Sequence, residues 1–111
     1  MSQKTDLGTV QIHNTVIATI AALAAQEVQG VVGVWRGVTP LGWIRGNTGV
    51  RVQAQDHDLR LWLSLVVEYG VDLPSVAGQV QDRVRQMLEH TTHLSPAEVN
   101  VSIHHVKPRG N

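Results

Sequence analysis

The chain contains no cysteine. A disulfide framework, a thiolate metal centre and a cysteine nucleophile are therefore excluded. It also has no phenylalanine, one tyrosine and three tryptophans. Its core must be built from aliphatic side chains. Formal net charge is zero, from nine basic and nine acidic residues. Nucleic-acid binders usually carry a basic excess, so no nucleic-acid partner is expected. Charged residues are scarce at 16%, whereas hydrophobic residues reach 42%, which excludes a disordered chain. No apolar run approaches the ~18 residues that span a bilayer. Met1–Asp6 lacks the apolar centre of a signal peptide. The expectation is a cytoplasmic protein with no direct membrane insertion. Any membrane contact would be peripheral, through a partner.

With 111 residues, one domain is expected. Residues 1–7 read as a flexible N-terminus, 8–106 as an α+β domain, and 107–111 as a short tail. The clearest strand is Leu59–Gly70. Leu59, Leu61, Leu63, Leu65, Val67 and Tyr69 occupy alternate positions and so share one face. Arg60, Trp62, Ser64, Val66 and Glu68 share the other. A face that is mixed rather than polar suits a central strand.

The remaining elements follow from periodicity and punctuation. Gly8–Ile12 reads as a short first strand. Asn14 reads as a helix N-cap, followed by an apolar stripe from Val16 to Val28 and a stop at Gly30. Val50–Ala54 alternates and should form an antiparallel hairpin with Leu59–Gly70 across the polar turn Gln55–Asp58. Asp72 caps a second helix, in which Val76, Val80, Val84, Met87 and Leu88 repeat at helical spacing. Ser95-Pro96 ends that region, and Glu98–Val106 forms the last strand. The fold class is α+β: a small, mainly antiparallel sheet of three to four strands, (β)αββαβ, with both helices on one face. If the first strand joins the sheet, a split βαβ arrangement results, with Leu59–Tyr69 between the first and second strands. Otherwise a three-stranded αββαβ sheet remains.

No catalytic constellation stands out. Ser64 sits mid-strand without a Gly-x-Ser-x-Gly context. Asp56, His57 and Asp58 are explained by turn composition. His90, His93, His104 and His105 offer no third ligand at an obvious spacing, and solvent-facing histidines at a helix end account for the first two. No enzyme activity, cofactor or metal is expected. Residues 33–48 are rich in glycine and hold Trp35, Arg36, Trp43 and Arg45. Tryptophan with arginine is typical of binding hot spots. The ordinary alternative is that the rings fold back to cap the core. Trp62 differs. With helices on the leucine face, Arg60, Trp62 and Val66 stand on an open sheet face, where a partner would dock.

Several segments resemble one bacterial family in order and spacing. They are Gly8-Thr-Val-Gln-Ile-His13, Glu27-Val-Gln-Gly-Val31, Gly49-Val50, Val67-Glu-Tyr-Gly70 and Val99-Asn-Val-Ser-Ile103. Together they resemble the alkaline shock protein 23 family, also called Gls-type envelope stress response proteins, over about Gly8 to Val106. The resemblance implies a role in the envelope or general stress response without enzymatic activity. It further implies a protein partner, a membrane-anchored one in some members, or self-assembly into a homo-oligomer. The reading from the sequence is thus a protein–protein interaction or self-assembly module near the membrane. A small RNA-binding module is the alternative, since small αββαβ sheets include RNA-binding folds.

Overall fold

The computed structural model describes residues 1–35, 49–55 and 58–108. Two short strands open the chain, β1 (Ser2–Thr5) and β2 (Gly8–Gln11). Helix α1 (Asn14–Gln26) follows, then β3 (Val31–Val34), β4 (Val50–Gln55) and β5 (Asp58–Glu68). Helix α2 (Leu73–Thr92) and β6 (Glu98–Lys107) complete the order. The α+β architecture read from the sequence is the one observed.

The main sheet is organised around β5. β6 pairs with one edge in parallel. On the other edge β4 pairs antiparallel with Asp58–Leu63, and β3 pairs antiparallel with Leu65–Val67. The Trp35 N–H donates to the Ser64 carbonyl at 2.7 Å, which joins the two ladders. β3 and β4 are therefore two pieces of one edge of β5. Gly49 marks the seam. Its φ is +77°, and a Cβ there would lie 2.5 Å from both the Trp35 carbonyl oxygen and Val34 Cγ1. Only glycine fits so close an approach.

Both helices cover the leucine face. α1 lies against β3 and β4, and α2 against β6. Leu59, Leu61, Leu63, Leu65 and Val67 are buried beneath Ile17, Ala21, Ala25, Val80, Val84 and Leu88. The alanines keep α1 close to the sheet, since small side chains allow a short interaxial distance. Arg83 Nη2 and Glu27 Oε2, 2.7 Å apart, tie the helices at the surface. Asp72 caps α2, accepting from Ser75 N at 3.3 Å, and Pro74 sits in the first turn, where its missing N–H costs nothing. His93 ends the helix in a left-handed conformation with φ 60°.

Four expectations need correction. The first strand forms, but it pairs with β1 in a separate two-stranded sheet. The split βαβ alternative, with the leucine strand between the first and second strands, does not arise. β2 is four residues long and exposed throughout, so it offers no apolar face to the main core. Ser2–Thr5, within the stretch read as a flexible terminus, supplies its partner, and Gln3 Nε2 donates to the Thr92 carbonyl at 2.6 Å. The N-cap of α1 is His13, one residue before Asn14, with extended backbone and no side-chain cap. Finally, Val31–Val34 is a strand where only loop was read, and α1 stops at Gln26 to make room for the turn at Gly30, whose φ is +99°.

Candidate functional site

With both helices on one side, the other side of the sheet carries no helix among the described residues. Alternation along β5 sends Arg60, Trp62, Ser64 and Val66 to it, all half-buried. The pairing register adds neighbours. Arg51 of β4 and Asn100 of β6 flank Trp62, and Gln53 and Glu98 flank Arg60. Strand pairing alone therefore brings together residues from three segments of the chain.

Two aromatic centres result. The Arg51 guanidinium lies over the Trp62 ring, 4.5 Å from its centroid, a distance suited to cation–π attraction. About one strand position further, Trp35 leaves the β3 seam and stacks on His104, with ring centroids 4.6 Å apart and planes inclined by 25°. His105 approaches the same indole at 6.3 Å. A bulge in β6 makes this possible. The register shifts between its pairs with Leu65 and Val66, and His104 is the extra residue.

Arg60 is held from both sides. Its Nε lies 3.1 Å from Glu98 Oε2, and Nη2 lies 4.0 Å from Asp58 Oδ2. Nε is shielded from solvent and has no aligned hydrogen-bond acceptor. The Glu98 contact is thus a charge pair rather than a directed hydrogen bond. Asn100 Nδ2 reaches Glu98 Oε1 at 3.3 Å and the Leu61 carbonyl at 3.2 Å, which steadies the same carboxylate. Gln53, Gln55, Asp58 and Arg60 line a polar cleft of about 260 Å³ on this face.

Of the residues proposed from the sequence, Trp35, Arg60, Trp62 and Val66 lie together on this face. Arg36, Trp43 and Arg45 lie outside the described residues. Trp35 does not fold into the core. Sequence reasoning missed Arg51 and the contact of Trp35 with the two histidines. Alternation within Val50–Ala54 already carried the first, because Arg51 shares the parity that pairs with Trp62.

The rest of the surface offers less. A cleft of about 350 Å³ lies beside the turns at Gly30 and Gly70, where Tyr69 is 70% exposed. Of its two acidic residues, Glu68 and Asp72, the second is already committed to capping α2. Among the described residues, no three His, Asp or Glu side chains gather as a metal site. His90 sits exposed in the last turn of α2. Among the same residues, no helix is long and apolar enough to cross a membrane.

Among the described residues, the main sheet and its helices form a two-layer αβββαβ sandwich, with one sheet face buried under the helices and the other carrying no helix. Its fold matches that of the solved structure titled MamM-CTD H264A, with a TM-score of 0.54 over 88% of this chain and 100% of that one. Identity there is 16%, so the likeness is one of fold. The chain belongs to the alkaline shock protein 23 family, described by a cell envelope-related function, whose family model matches residues 2–108. It is 38% identical over 107 residues to the uncharacterized protein YqhY of Bacillus subtilis (strain 168), covering 91% of this chain and 78% of YqhY. It is 29% identical over 111 residues to the uncharacterized protein YloU of the same organism, covering 94% of this chain and 92% of YloU. The family resemblance read from the sequence segments is therefore the family shown.

Proposed function

We propose that this chain is a non-enzymatic interaction module of the bacterial envelope stress response. It acts from the cytoplasmic side, near the membrane, by binding a protein partner through the open sheet face. The observation that carries this is the placement of Trp35 and Trp62, with Arg51 and Arg60, on the face the helices leave uncovered. Tryptophan and arginine are enriched in binding hot spots. The envelope-related family supports the location.

The test is site-specific photo-crosslinking in the native cell, followed by separation of membrane and soluble fractions. A photoreactive residue at position 62 should yield one dominant adduct enriched with the membrane fraction. One at Arg85, on the exposed side of α2, should not. The same adducts from both positions would sink the reading.

A second reading keeps one observation in its favour. Aromatic rings on an open sheet face are also how small α/β domains stack single-stranded RNA. Zero net charge opposes it. Filter binding with single-stranded RNA at low salt separates the two, since a stacking platform would bind and lose affinity on Trp62→Ala.

A further inference from the structure

The last strand, β6, has a neighbour on one side only. It pairs with β5 along Glu98–Lys107, and no other strand pairs with it among the described residues. Ten residues is long for an edge with no second strand beside it, and such an edge presents a row of backbone donors and acceptors; one of these carbonyls, that of Val99, accepts from Gln81 Nε2 at 3.0 Å. Val101, Ile103 and Val106 are only partly covered. The lone acidic and lone basic residue of the strand stand at its two ends, Glu98 and Lys107. Lys107 makes no ion pair among the described residues, whereas Glu98 already faces Arg60 on its own sheet.

Any strand added here must match faces along its length. Val99, Val101 and Ile103 stand beside the buried Leu61, Leu63 and Leu65, on the helix side. Plain alternation would then send Val106 to the open side. The bulge prevents this: His104 is the extra residue, and Val106 stands beside the buried Val67. A bulge usually discourages edge pairing. Here it makes the strand complementary to a reversed copy of itself, centred on Ser102. In that register Ser102 meets Ser102 of a second copy, and Val101 meets Ile103. Asn100 opposes the two-residue bulge, as a bulge requires. Val99 meets Val106, and Glu98 meets Lys107. Every pair falls on one face, and both ends bring opposite charges together.

We propose that β6 is a homodimerisation edge. Two copies of the chain pair antiparallel through β6 about Ser102, which joins their sheets into one. This goes beyond the sheet-face reading and leaves that face open on both copies.

The absence of cysteine makes the test direct. Ser102→Cys places two thiols at opposed positions of an antiparallel pair, about 4.5–5.5 Å apart between Cα atoms, which overlaps the disulfide range. Ser64→Cys, beside it on the same face of β5, is the control. The full-length chain should show a concentration-dependent dimer in sedimentation velocity. Ser102→Cys should form a covalent dimer under mild oxidation at least about tenfold faster than Ser64→Cys. Ser102→Lys, a change at an exposed position, sets like charges across the axis. It should weaken the dimer about tenfold with an unchanged circular dichroism spectrum. A strictly monomeric chain overturns the proposal, as does equal crosslinking of the two cysteine variants. A dimer lost on Trp62→Ala but kept on Ser102→Lys also overturns it and moves self-association to the sheet face. Crosslinking of position 62 to a partner by a monomeric chain would leave the proposed function standing.

Discussion

The two faces of β5 differ by one residue of phase and by everything in environment. Leu61 and Leu65 are 0% exposed. Trp62 and Val66, their immediate neighbours, remain half-open. One face has aliphatic neighbours from two helices. The other has a guanidinium, amides, carboxylates and an indole. A single strand therefore carries both the core face and the face proposed for recognition, interleaved along the chain. Mutational effects should follow the same alternation, and that expectation can be broken.

The largest effect belongs to the closed face. Leu63→Ala removes a buried side chain from the middle of the core. The expected loss is about 3 kcal/mol, measured by urea unfolding at constant m-value. A loss no greater than that of Trp62→Ala would end the distinction between the faces.

Next comes the one position where both faces meet. Gly49→Ala would drive a methyl group against the Trp35 carbonyl and against Val34, which belongs to the core, at a positive φ. The expected cost is about 2 kcal/mol. It should also move Trp35 off His104, read as a change in indole fluorescence and in the histidine proton resonances. Lost stability with an unmoved Trp35 would show that the seam does not couple the faces.

Trp62→Ala should cost less, about 1.5 kcal/mol, because the ring is only half-buried. It should nevertheless abolish the membrane-fraction adduct formed from a photoreactive residue placed at Ser64, on the same face of β5. Its effect on function should thus exceed that of Leu63→Ala measured at equal fraction folded.

The alternation that predicts these effects was legible in the sequence. So were α2, with its Asp72 cap and regular valines, and the hairpin of β4 with β5. Strong local periodicity determined each of them. β3 was not legible, because Val31–Val34 includes Gly33 and leads into a glycine-rich stretch. It is a strand only because it continues the edge that β4 forms on β5. β1 was hidden for a different reason: a polar tetrapeptide shows no core-facing pattern and is held by its turn and by β2. The same limit applies to the site. Trp62 and Arg60 could be placed on the open face by counting residues. The stack of Trp35 on His104 could not, since it needs both the seam at Gly49 and the bulge in β6, and neither leaves a periodic trace.

The smallest effect concerns the pair that counting could have supplied. Arg51 is exposed, and its guanidinium rests on a ring that is itself half-open. Solvent screens most of the attraction, so a double-mutant cycle of Arg51→Met and Trp62→Leu should give a coupling of about 0.5 kcal/mol. Methionine keeps the apolar stem of arginine and leucine keeps an apolar side chain, so the cycle isolates the charge–ring contact from simple area loss. A coupling near zero would mean that Arg51 is not spent on Trp62 and is available to an acidic group on a partner. Binding would then fall more for Arg51→Met than stability does. A coupling of the expected size, with binding lost equally in either single variant, would instead mean that the pair is recognised as one preformed unit. Either result sharpens the contrast with the closed face, where single contacts do not trade against a ligand.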